Sequence, residues 1–222
     1  MKFTKKAMCS CVAAVAMTAS GLMISGQAAA VEVSASAAVA SSYLWRGYDL
    51  GSGTPAVSGD LSASAGGAYA GIWGSSGDTA AGTEYDLFAG YGVELGAFTF
   101  DISVWNYNYP TTSTLSAGNP STRFGDLTEV VLSVGTGPVT LSYYDNVAGA
   151  SGYEYWTLGA DFNKFSVLLG LHDNPSGDDP VHLNLSYAHN ENLSFTISQF
   201  ISDEPDDDNM KFIVSYSLPI LD

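Results

Sequence analysis

From Val31 onward, apolar side chains recur at every second position. Tyr85, Leu87, Ala89, Tyr91, Val93 and Leu95 alternate with Glu84, Asp86, Gly90, Gly92 and Glu94, which are small or acidic. In the next run Phe98, Phe100, Ile102 and Val104 share one face, and Thr99, Asp101 and Ser103 share the other. Trp156, Leu158, Ala160 and Phe162 oppose Tyr155, Thr157, Gly159 and Asp161 in the same way, as do Val181, Leu183 and Leu185 against His182, Asn184 and Ser186. A period of two predicts strands, and no helical stripe competes with it. About twelve such segments can be marked, starting near Val31, Ala56, Gly67, Gly82, Ala97, Asp126, Pro138, Gly152, Phe165, Pro180, Asn192 and Asn209. They suit the roughly 9–11 residues of a tilted membrane strand better than the 5–6 usual in soluble sandwiches.

The connections alternate too. GYDLGSGTP, SSGDTAAG, YPTTSTLSAGNPSTRFGD, DNVAGASG, HDNPSGDDP and DEPDDDN are long and polar, whereas the turns between them are as short as Asn163-Lys164. A membrane barrel has short turns at one rim and longer loops at the other, so this parity has a physical reason. An even strand number puts both chain ends at the short-turn rim. The predicted fold is therefore all-β, an up-and-down antiparallel transmembrane β-barrel of about 12 strands (10–12), with its apolar face outward and its polar face inward. A soluble β-sandwich would instead pack Phe100, Ile102, Leu158 and Leu185 against one another.

The first thirty residues change the picture only by being set aside. Lys2, Lys5 and Lys6 precede an apolar run to about Ile24, and Ala28-Ala29-Ala30 forms a small-residue cleavage site. Residues 1–30 are expected to be a signal peptide and 31–222 the barrel, in the outer membrane of a Gram-negative cell. Both cysteines, Cys9 and Cys11, lie in the leader, which excludes disulfides and thiolate chemistry from the rest. The chain has 23 acidic residues against seven basic ones, a net charge of −16. Outside the leader the basic residues are Arg46, Arg123, Lys164 and Lys211. Such a field excludes nucleic acid as a partner and favours cations.

One segment carries a family resemblance. SSYLWRGYDLGSGTPAVSGDLSAS (Ser41 to Ser64) and GGAYAGIWGSS (Gly66 to Ser76) resemble the TorF-type porin family on Tyr43, Trp45, Arg46, Gly47, Pro55, Ala56, Tyr69, Gly71, Trp73, Gly74 and Ser75. Glu84-Tyr85-Asp86, Thr128-Glu129-Val130 and YEYWTLGADF (Tyr153 to Phe162) are similar to the family's middle, more loosely. The resemblance implies an outer-membrane porin without catalytic residues. One departure is the end, SYSLPILD, where outer-membrane strands usually finish on an aromatic; Tyr216 and Leu218 stand in for it, with a four-residue overhang.

These readings converge on a porin-like channel passing small hydrophilic solutes, cations preferred; the alternative is a plugged barrel with an envelope-structural or adhesion role. Arg46 is expected at the outer end of the first strand, pointing into the lumen toward Asp60, Asp86 or Glu129. Asp60, Asp86, Glu94, Asp101, Glu129 and Lys211 join it as lumen or constriction residues. Tyr43, Trp45, Tyr69, Trp73, Trp156 and Tyr216 are expected to form interfacial aromatic girdles. The loop Pro110 to Asp126 could fold inward and narrow the pore; the acidic loop Asp203 to Asp208 could bind Ca²⁺ or Mg²⁺, but it lacks the Asp-x-Asp-x-Asp-Gly spacing with a distal Glu and is expected to be a solvated loop instead. The sequence lacks H-E-x-x-H, G-x-S-x-G and any His/Cys cluster, so neither a catalytic residue, a metal nor a cofactor is expected. The expected partners are membrane lipid and lipopolysaccharide, the barrel-assembly machinery and the solutes themselves.

Overall fold

The structure, a computed structural model, describes residues 30–110, 124–149, 152–175, 177–202 and 209–221. After β1 (Glu32–Ala40) come two short strands, β2 (Leu44–Trp45) and β3 (Tyr48–Asp49). The wall then continues as β4 (Ala56–Ala65), β5 (Ala68–Asp78), β6 (Gly82–Leu95), β7 (Phe98–Asn108), β8 (Thr128–Thr136) and β9 (Val139–Ala148). It is completed by β10 (Glu154–Phe162), β11 (Phe165–Asp173), β12 (Val181–Ala188), β13 (Leu193–Ser202) and β14 (Lys211–Leu221). β1 and β4 to β14 pair antiparallel in chain order, and β14 returns to β1, so twelve strands close into a barrel without an edge. β2 and β3 pair only with each other and stand apart from the wall.

Longer and shorter connections alternate, but SSGDTAAG is not a long loop: β5 runs to Asp78 and β6 starts at Gly82, so only residues 79–81 lie between them. Between β4 and β5 only Gly66 and Gly67 intervene, both at positive φ (58° and 89°), as a two-residue hairpin of matching twist requires. Long connections gather at the opposite rim. Residues 111–123, most of the loop expected to fold inward, lie outside the described residues, as do Arg123, the acidic loop Asp203 to Asp208 and the leader up to residue 29.

Two boundaries differ from the sequence reading. The first strand ends at Ala40, six residues short of Arg46, because the chain there turns off the wall. The last strand runs on to Leu221, so SYSLPILD has no four-residue overhang. Pro219 is tolerated within it opposite Ser36, beside the register shift at Ala35/Ser36. A proline cannot donate to a ladder, and an irregular pairing is where one fits.

Polarity is inverted relative to a soluble protein. Phe100, Ile102, Leu158 and Leu185, the residues that would form the core of a sandwich, are 43, 50, 49 and 46% exposed on the outer wall. The buried positions are mostly polar or charged, among them Ser103, Ser142, Thr157, Asn184, Thr196, Ser198, Ser215 and Ser217. Serine and threonine hydroxyls pair across neighbouring strands inside, Ser34 with Ser62, Ser133 with Ser142 and Ser186 with Thr196, each at 2.8 Å. An apolar exterior on a closed sheet is what hydrocarbon demands, since lipid offers no partner to a free N–H or C=O. This is a membrane-type barrel.

Leu158 sits mid-strand on that exterior. Replacing it with Arg is expected to lower the unfolding free energy by about 2–4 kcal/mol, measured by urea titration of protein folded into phospholipid vesicles.

Candidate functional site: an arginine-tipped hairpin in the lumen

Ser41 closes β1 against β14: its N–H donates to the Val214 carbonyl at 2.9 Å, and its Oγ accepts from the Val214 N–H at 3.0 Å. From here the chain enters the barrel. Leu44 pairs with Asp49 and Trp45 with Tyr48, leaving Arg46 and Gly47 as a two-residue turn. Both have positive φ, 47° and 90°. This is the turn geometry a tight hairpin prefers, and glycine suits its second position. At the hairpin's foot, Leu50 N–H and Gly51 N–H both donate to the Tyr43 carbonyl. Ser42 Oγ donates to Asp49, and Asp49 Oδ2 accepts from Gly53 N–H. The tip is pressed on the far wall. A Cβ built on Gly47 would lie 2.7 Å from the His182 ring and 2.9 Å from that of Phe200.

Arg46 is 8% exposed although it belongs to no wall strand. Its two terminal nitrogens donate to Glu129 on β8 at 3.0 and 2.6 Å, a bidentate pair. Its guanidinium carbon stands 4.7 Å from the Trp45 ring centre, 4.8 Å from Tyr144, 4.6 Å from Tyr155 and 5.5 Å from Tyr153. Planar delocalised guanidinium fits such a box as lysine would not. Burial by itself disfavours the charge, yet the Glu129 carboxylate overrides it and holds the Arg46 pKa well above its ordinary value. Tyr107 donates to the same carboxylate at 2.7 Å.

Two histidines fix the hairpin's backbone and the wall behind it. His172 Nε2 donates to the Arg46 carbonyl at 2.9 Å, which leaves Nδ1 to accept from Tyr153 Oη at 2.8 Å. His182, fully buried, lies between Tyr155 Oη at 2.7 Å and Asn184 Oδ1 at 3.1 Å. On the opposite side Tyr43 Oη donates to Glu84 at 2.7 Å, and Tyr109 Oη donates to its other oxygen at 2.5 Å. Phe88 stacks on Trp105 with centres 4.4 Å apart. The hairpin therefore lies across the loop-side end of the lumen. Toward the short turns the lining includes paired hydroxyls such as Ser34–Ser62 and Ser133–Ser142 and the Tyr69–Asp101 hydrogen bond.

The expected lumen residues do face inward, but they do not form one cluster. Arg46 meets Glu129 alone among its proposed acids. Asp60 instead accepts from Ser36, and Asp101 accepts from Tyr69 Oη at 2.9 Å. Glu94 shares the inward parity of β6 at the open short-turn rim, and Lys211 sits with its Nζ 5.1 Å from the Phe200 ring centre. The aromatic girdle is corrected for four of its six members. Tyr43 and Trp45 belong to the hairpin segment, and Tyr69 and Trp73 have inward parity on β5. Inside, Tyr69 donates to Asp101, and Trp73 packs against the Tyr43 ring with centres 6.0 Å apart. Trp156 and Tyr216 are on the exterior, 38 and 42% exposed. The sequence reading missed Glu84, Tyr107, Tyr144, Tyr153, Tyr155 and His172 as partners of the hairpin. Inward parity was the available signal for most of them, because Tyr144 and Tyr155 alternate with outward Tyr143 and Trp156.

A family described as bacterial protein of unknown function (Gcw_chp) matches residues 25–175. The chain belongs to that family. The matched region contains β1, the hairpin, the acidic face of β6, Glu129 and the Tyr153–Tyr155 wall, so the whole Arg46 box lies within the family's boundaries. No curated protein matches the chain. Among solved structures, outer membrane phospholipase A from Escherichia coli is similar at 12% identity, covering 84% of this chain and 89% of that one with a TM-score of 0.43. An active-site mutant of the same enzyme gives 14% identity over the same shares and a TM-score of 0.45. The calcium-bound dimer of the Salmonella typhi enzyme gives 11% over those shares and 0.43.

Glu129→Gln would leave a buried guanidinium without its counter-charge. The expected loss is about 3–5 kcal/mol of stability, seen as a lower urea midpoint for the folded barrel, whereas Arg46 and Glu129 replaced together by Met and Gln should recover part of it.

Proposed function

We propose that this protein is an outer-membrane channel for small hydrophilic solutes, held shut at its outer end by the β2–β3 hairpin. The observation that carries this reading is the position of Arg46: the tip of a segment outside the wall is buried across the lumen and bound bidentately to the opposite strand. The fill is a polar, hydrogen-bonded insert, and toward the short turns the hydroxyls of Ser34, Ser62, Ser133 and Ser142 line the interior with the Tyr69–Asp101 pair, a polar surface suited to an aqueous path. The resemblance of SSYLWRG to TorF-type porins supports the same reading, since it implies a pore.

In this reading solutes diffuse through the lumen when the hairpin is withdrawn, and the seated hairpin is the closed state. The loop side is set at the cell exterior, near lipopolysaccharide, with the termini and short turns toward the periplasm. The last strand faces the assembly machinery. Solute transfer is the activity, and no catalytic role is assigned to any residue. An adhesion or envelope-bracing barrel is the second reading, favoured by how completely the hairpin is bonded at its foot as well as its tip.

Reconstituted in liposomes, the wild-type chain should admit small sugars slowly, and Arg46→Ala should raise the swelling rate at least about tenfold, as loss of a gating constriction would. Equal rates for the two proteins would remove the hairpin's gating role, and no swelling from either would favour the bracing reading.

A further inference from the structure

Three carboxylates face the interior near the hairpin. Glu84 and Asp86 alternate on β6, and Glu129 projects from β8; Tyr107, the ladder partner of Asp86 on β7, donates to Glu129 at 2.7 Å and so bridges the two strands. All three are at most 3% exposed. Their partners are unequal. Glu129 has the Arg46 guanidinium. Glu84 has two phenol hydroxyls and, among the described residues, no basic group. Asp86 Oδ1 has no hydrogen-bond partner among the described residues.

A permanently closed barrel gains nothing from that arrangement. A buried carboxylate without a counter-charge is costly, and Asn or Gln at the same positions would pack as well without the penalty. One cover of each acid comes from the same segment: Tyr43 on Glu84 and Arg46 on Glu129 are three residues apart between β1 and β4. Withdrawal of that segment takes one partner from each acid together, including the only counter-charge of Glu129 among the described residues, and leaves Tyr109 on Glu84 and Tyr107 on Glu129.

We infer that Glu84, Asp86 and Glu129 form a cation-binding constriction of the open lumen, which the hairpin closes by placing its own cation, Arg46, where a permeant one would stand. With the hairpin seated, no three acids among the described residues are gathered closely enough to chelate a metal ion, so the constriction acts on monovalent cations such as K⁺ and Na⁺ that pass the carboxylates with water still attached. Rings of acidic side chains set cation selectivity in pores by this chemistry. The positive plug and the acidic arc on β6 and β8 then describe one site in two states. The inference rests on the hairpin acting as a plug, and it adds the identity of the permeant species and the residues that select it.

Currents in planar bilayers under a tenfold KCl gradient test it. Each variant is first shown to be folded by its faster gel migration before boiling. Arg46→Ala should conduct with a K⁺ over Cl⁻ permeability ratio of about ten, and adding Glu84→Gln and Asp86→Asn should bring that to about two without closing the pore. Asp86→Asn alone on the Arg46→Ala background should give an intermediate ratio, and because it removes an uncompensated buried charge without changing the side chain's size it keeps the barrel folded if the double substitution does not. A ratio near one in Arg46→Ala, or one that the β6 substitutions leave unchanged, overturns the constriction while the plug stands. No current above wild type from Arg46→Ala, nor from a chain with residues 42–54 replaced by a Gly–Ser linker of equal length, overturns plug and constriction together.

Discussion

In hydrocarbon a sheet survives only when every backbone N–H and C=O is paired, and that constraint organises this molecule. It forces β14 back onto β1 and directs the oily side chains outward, where Phe100, Leu158 and Leu185 stand. It also leaves the middle without an apolar core. Whatever occupies the lumen must be held by hydrogen bonds and charge, and the charged box around Arg46 is the answer at one end. The guanidinium contributes little net stability as an ion pair, because desolvating both partners offsets their attraction. Its effect is on position: bidentate geometry and four aromatic faces allow the hairpin one seat.

Much of the architecture was legible in the sequence. Period-two alternation located the wall strands, and the parity of connection lengths identified which rim carries the loops. Those signals are strong because a membrane wall has only two faces and each residue must choose one. The girdle residues were harder for the same reason. Tyr69 and Trp73 have inward parity on β5, yet as aromatics near a strand end they suit an interface equally well, and only their polar partners inside decide the matter. Trp156, with a neighbouring Tyr143 ring at 4.4 Å, chose the outside.

The hairpin was half visible. Arg46 was recognised as a lumen residue with Glu129 among its possible partners, and that pairing is present. Continuous alternation from Ser34 to Arg46 nevertheless made the segment read as wall. What breaks the strand at Ala40 is tertiary: Ser41 is held by Val214, and the tip has a box of rings from β9 and β10 awaiting it. Alternation persists through β2 because a hairpin in the lumen is still a pair of strands. The unpaired oxygen of Asp86 had no sequence signature, since parity tells where a carboxylate points and is silent on whether anything meets it.

The place of the hairpin in the chain has a consequence for assembly. Arg46 and Glu129 are separated by 83 residues, and Arg46 and Tyr153 by 107. The insert is made early, but the surfaces that receive it come from β8 to β13. Until those strands have curled round, its cationic tip has nowhere dry to settle. Seating therefore reports that the cylinder has reached nearly full circumference, and a barrel that zipped its first and last strands together too soon, around a missing blade, would be left with the arginine loose in its mouth.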